Sequence, residues 1–200
     1  MIVKITYSEI HEFARENTKK GLYSSLLLGI NNQTETTLHD MPHMVNSSRD
    51  EIVHACMYSL LQNSELARIF RERGLEPGYV RGILENIVDE MFKGDFSEEH
   101  TVRIARMTFD LIRIGIPPRM LIMLMFILSL EIVRHTYPNS NQVKAIIQAC
   151  GWMLSNMMES YFTIDEEVFA NSLGITSGSY DRLLELTAEK IYRNIDKELA

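Results

Sequence analysis

The chain has 200 residues, 46% of them apolar, and a net charge of −7. That length suits one large domain with a real core, whereas the acidic balance argues against nucleic acid as a partner, because phosphate binding rests on clustered Lys and Arg. Cys56 and Cys150 lie in apolar, helix-like stretches with no Cys or His at metal-ligand spacing, so they read as buried thiols of a reducing compartment.

In chain order, the opening MIVKITYSEIHEF alternates polar and apolar residues, unlike a signal peptide, which points to the cytoplasm. The spacing predicts an amphipathic helix from Tyr7 to Lys20, an interruption at Gly21, a second segment from Leu22 to Ile30, and a loop at Asn31–Thr34. Thr37 to Val45 is ambiguous. Ser48 and Glu51 form a capping box ahead of a helix from Arg49 to Leu61, whose stripe is Ile52, Val53, Cys56, Met57, Leu60 and Leu61. His54 and Tyr58, one turn apart, share a flank of that helix. Ser64 caps a short segment through Phe70, Gly74 and Pro77-Gly78 break the chain, and a helix follows from Tyr79 to Phe92.

Ser97 then caps a helix that ends at Gly115, with His100 solvated in its first turn. Pro117 and Pro118 launch the next helix after a tight corner. Its uncharged run, Met120 to Leu130, is 11 residues long, short of the roughly 20 that span a bilayer, so no membrane span is expected. Arg134 and His135 suit its last turn and Pro138 stops it. A helix from Val143 to Phe162 follows. Beyond it come a short helix at Asp165–Leu173, a break at 174–179, and an amphipathic helix with Leu184, Ala188, Ile191, Ile195 and Leu199. The expected organisation is one helical domain over 1–163 and a helical extension over 164–200.

Catalytic signatures are missing: no Gly-x-Ser-x-Gly elbow, phosphate-cradling glycine loop, His-Glu-x-x-His or Cys-x-x-Cys. Asp89-Glu90 and Glu98-Glu99 read as solvated surface pairs, and the chain is not expected to be an enzyme. The twelve methionines read as core filler rather than a soft ligand cavity. Phe169 to Ser177, followed by Tyr180 and Leu184, faintly suggests a helix-turn-helix. Asp181, Glu185 and Glu189 would repel phosphates there, so a terminal helical pair packing on the bundle or on a partner is the preferred reading, and a gel shift at low salt tests the other.

Arg113-Ile114-Gly115-Ile116-Pro117-Pro118, preceded on one helix by Arg103 and Arg106, resembles the signature of globin-coupled sensors and protoglobins. Tyr58 to Ala67 and the corner Lys93-Gly94-Asp95-Phe96 are similar to the same family, so that the likeness runs from about Arg49 to Phe162. The resemblance implies an all-α, globin-like sensor domain that binds heme, with the last two long helices of two subunits forming a four-helix bundle. On that footing Met123, Ile127, Leu130, Leu154 and Met158 fall at the interface of a homodimer, which would signal to a separate partner protein. The family pattern places its iron-ligating histidine four residues before the glycine, where this chain has Leu111. Met120 and Leu121 stand in place of a Trp-Tyr pair, His100 takes the place of a tyrosine, and Tyr58 matches the family's distal-pocket tyrosine. Leucine has no lone pair for iron. The resemblance therefore implies a sensor that has lost heme, with no metal. The alternative is a heme sensor of oxygen or another diatomic gas that uses His54 as a non-standard ligand.

Overall fold

A computed structural model describes residues 19–174 and 176–199 of the chain; most of the helix expected at Tyr7–Lys20 lies outside them. The described residues are helical throughout, with no strand, and form nine helices: α1 (19–27), α2 (Asn32–His39), α3 (Pro42–Gln62), α4 (Ser64–Glu72), α5 (Pro77–Lys93), α6 (Glu98–Arg113), α7 (Pro118–Thr136), α8 (Ser140–Leu173) and α9 (Ser177–Leu199). None of these is long and apolar enough to cross a membrane. The chain divides into two compact units between Ser160 and Tyr161.

In the first unit α3 packs chiefly against α7, and also against α5 and α4. It begins at Pro42, seven residues before the predicted start. A proline ring loses nothing in a first turn, so Pro42 outcompetes the Ser48 signal. Ser48 instead lies inside the helix, where its hydroxyl donates to the His135 carbonyl at 3.3 Å. Asn31, expected in a loop, is an N-cap: its side-chain oxygen accepts from the Gln33 and Thr34 amides at 2.9 and 3.3 Å. Asn63 rather than Ser64 does the same for α4.

Gly21 does not interrupt a helix; it lies within α1, which crosses α8. A Cβ there would sit 2.8 Å from Asn156 Oδ1 and 3.0 Å from Thr101 Oγ1, so the missing side chain is what lets α1 approach. The Trp152 indole donates to the Gly21 carbonyl at 2.9 Å, and Ser24 meets Ser155 at 2.7 Å. Gln148 of α8 donates to the carbonyls of Leu28 and Gly29 and accepts from Thr34.

The α6–α7 corner forms as its residues require. Gly115 adopts φ +85°, its amide bonds the Ile112 carbonyl at 2.9 Å, and the Ile116 amide bonds the Leu111 carbonyl at 3.1 Å. This is a Schellman closure, with Ile116 and Leu111 packed together beneath it. Pro117 and Pro118 then start α7 without forfeiting a helical hydrogen bond.

The second unit holds α8 from Tyr161 onward and α9. Contrary to expectation, α8 runs without a break from Ser140 to Leu173, and the first turn in the chain beyond it is at Gly174, φ +65°. Phe169 meets Tyr180 edge to face at 5.1 Å. Burial and the carboxylates of Asp165, Glu166 and Asp181 raise the Tyr180 phenol.

Candidate functional site

Leu111 lies near the C-terminal end of α6, facing a cavity of about 30 Å³. Leu60, Leu66, Phe70, Val80, Ile83, Leu84, Ile114, Ile116, Met120 and Leu124 complete its wall. Every lining side chain is apolar, and an apolar space of this size stays dry. Sites for drug-sized ligands occupy roughly 300–1,000 Å³, so this one holds nothing like a porphyrin. Its lining offers no imidazole or phenol, and its one sulfur is the Met120 thioether, so these residues do not fit heme iron. Leu111 and Met120 are brought together here, while Leu121 is fully buried but is not part of the wall.

Two positions depart from the pocket reading. Tyr58 is 63% exposed on α3, and His54, one turn earlier, is also on the surface. Neither lines the cavity, because the inward face of α3 is taken by Ile52, Val53, Cys56 and Leu60. Burial, aided by Glu131, pushes the Cys56 thiol up to about 12. A groove of about 620 Å³ lies outside the cavity between α5 and α6, with Ile83 common to both and Arg103, Arg106, Glu90 and Asp110 along it.

The other end of α6 holds a cluster that the sequence reading missed. His100, expected in solvent, is 1% exposed. Its amide takes the Ser97 cap at 3.1 Å, as expected, yet its ring lies 4.8 Å from Trp152, beside Phe96. His100 Nδ1 is 2.9 Å from Asp95 Oδ1 and Nε2 is 3.4 Å from Glu90 Oε2, but neither nitrogen achieves hydrogen-bond geometry. Arg103 spans the carboxylates of Glu90 at 3.0 Å and Asp95 at 3.2 Å, and Lys93 pairs with Glu90. Glu90 is therefore not the solvated half of a surface pair.

Burial holds the His100 imidazole below its ordinary value, with Asp95 and Glu90 pulling the other way. Burial also pushes the Glu90 and Asp95 carboxyls up, but their cationic and hydrogen-bonding neighbours outweigh it and hold both below the usual range. The signal that pointed here was the Gly94-Asp95-Phe96 corner. Gly94 and Phe96 both adopt left-handed backbone, φ 60° and 40°, folding Phe96 inward onto Trp152 at 5.1 Å.

A third feature is apolar and outward. On α7, Met123, Phe126 and Leu130 are 53, 58 and 66% exposed, one stripe at helical spacing, with Ile127 half-buried beside it. On α8, Ile147 is exposed and Leu154 and Met158 are half-buried. The outer side of α1 adds Leu22, Tyr23, Leu26 and Leu27.

The helices and their corners define a globin-like, all-α protein. The fold is similar to the globin domain of the Geobacter sulfurreducens globin-coupled sensor, with a TM-score of 0.62 at 14% identity over 70% of this chain and 96% of that one. No protein-family model and no curated protein sequence matches the chain.

Proposed function

We propose that this chain is a non-catalytic, globin-like sensor or regulatory domain that works without heme and signals from a homodimer to partner proteins in the cytoplasm. The observation that carries the reading is the pairing of a small, wholly apolar cavity at Leu111 with an exposed apolar stripe on α7. The first supports a heme-free reading, because its lining offers no iron ligand and its volume is far below that of a porphyrin. The second supplies a face for a four-helix bundle made from α7 and α8 of two copies, with Met123, Ile127, Leu130, Leu154 and Met158 in its seam. A signal acts by favouring one arrangement of those helices over another, which requires different affinity for the two.

Light scattering tests the dimer. The unaltered chain is expected at twice its formula mass, and Phe126→Glu or Leu130→Glu at the monomer mass with unchanged helicity; a monomeric parent overturns the reading. Hemin titration tests the cavity. No sharp Soret band is expected from the parent, and a stoichiometric one from Leu111→His, which supplies the missing imidazole. A Soret band in the parent that disappears in His54→Ala would establish the heme sensor in its place.

A further inference from the structure

We infer that α9 is a docking helix, and that the partner it takes is a different protein presenting an apolar strip bordered by lysine and arginine side chains. This role rests on the signalling reading, to whose partner it gives a chemistry; the dimer is not required for it.

The helix exposes what a helix ordinarily buries. Most helical stability in proteins comes from packing an amphipathic face, yet every residue of α9 from Asp181 to Ile191 is exposed, Leu184 by 52% and Ile191 by 53%. At about 100° per residue, Tyr180, Leu184, Ala188 and Ile191 fall within about 80° of one another and make one strip. Ile195 and Leu199 continue the same spacing in the sequence. At the start of the strip Tyr180 meets Phe169 of α8.

One border of that strip is acidic. Asp181, Glu185 and Glu189 follow one another every fourth residue along it, while Leu183, Thr187 and Lys190 lie along the other border. Asp165, Glu166 and Glu167 of α8 add to the same sign, so that Tyr161 to Ile191 holds six carboxylates against Arg182 and Lys190. Tyr192 to Ala200 adds two charged side chains of each sign and leaves that balance unchanged. Arg182 is itself paired with Glu185 at 3.0 Å.

This balance decides the occupant. A second copy would bring the same negative charge to the strip in either orientation, and an antiparallel pair would set the acidic border against its own counterpart. The Asp165–Glu167 stretch of α8 is equally unsuited to cover it. A partner with cations along one border of an apolar strip answers both parts of the surface: its hydrocarbon covers Leu184, Ala188 and Ile191, and its cations meet Asp181, Glu185 and Glu189.

The test uses the full chain and a fluorescent synthetic helix of leucine and lysine, with its leucines at heptad spacing, followed by anisotropy. Saturable binding is expected, weakened several-fold in Leu184→Gln/Ile191→Gln and again in Glu185→Lys/Glu189→Lys. It is also expected to weaken as salt is raised from about 50 mM to about 500 mM. A peptide of the same pattern with glutamate in place of lysine is expected not to bind. All four substituted positions are exposed, so both variants should keep the helicity of the parent. Absence of binding, binding that survives both double variants, or equal binding of the glutamate peptide overturns the proposal. So does a fall in mass by light scattering in Leu184→Gln/Ile191→Gln, which would assign the strip to a second copy. A monomeric parent would overturn the dimer reading alone and leave the peptide titration standing.

Discussion

The two ends of α6 solve burial in opposite ways. Near its C-terminus Leu111 is enclosed by hydrocarbon, and the only question there is how well the space is filled. Near its N-terminus an imidazole, two carboxylates, a lysine and a guanidinium share a corner with Trp152, and the question is whether every charge has a partner. One end is held by apolar packing and the other by ion pairs.

The sharpest way to break this contrast is Leu111→Ala. Removing a buried leucine from a dry wall is expected to cost about 2–5 kcal/mol in urea unfolding, at every pH. A loss under about 1 kcal/mol would mean the wall collapses freely and the apolar end is not well packed. At the polar end, Arg103→Met leaves Glu90 and Asp95 short of a cation. The expected loss is about 1–3 kcal/mol, below that of a fully buried broken pair because Asp95 is 43% exposed.

Smaller effects separate the ends by pH. His100 has a folded value below its unfolded one, so above about pH 6.5 it leaves stability untouched. As pH falls from there toward the folded value, the unfolded chain binds more protons and stability declines, at no more than about 1.4 kcal/mol per pH unit. Glu90 and Asp95 are shifted the same way, and their stabilisation is lost at more acid pH, below the ordinary carboxylate range. Urea midpoints measured against pH should show the upper limb in the parent and lose it in His100→Gln. The smallest effect belongs to Tyr58→Phe, expected within about 0.5 kcal/mol because the phenol is out in solvent. A larger loss would place Tyr58 back among the groups that matter for the cavity.

The apolar end was largely legible in the sequence. Gly115 and the two prolines define the corner by their own backbone preferences, and Leu111 was singled out by the family likeness, which puts a histidine four residues before that glycine. The polar end was not legible, because burial of His100 comes from Trp152, fifty-two positions away, while its own neighbourhood, a capped first turn, ordinarily faces water. Local signals misled elsewhere for similar reasons. The tract at Asn31 has the composition of a loop yet supplies a cap, the Ser48–Glu51 pair imitates a helix start inside α3, and Gly21 serves close packing rather than a break. At Gly21 a partner distant in sequence decided the outcome, at Ser48 a stronger signal six residues earlier, and at Asn31 the local cap itself. Among the exposed positions, the α7 stripe at Met123 and Leu130 was expected from the family likeness, whereas the apolar side of α1 was not.

The two buried thiols have a kinetic consequence. Cys56 sits on α3 and Cys150 on α8, where its Sγ lies 3.5 Å from the Met125 carbonyl, and burial raises both. An alkylating reagent therefore reaches either one only when the surrounding helices separate, and the rate of trapping becomes a clock for that event. With one clock on each helix, equal rates would mean that the first unit opens all at once. Unequal rates would mean that one of the two helices detaches first, and would name it.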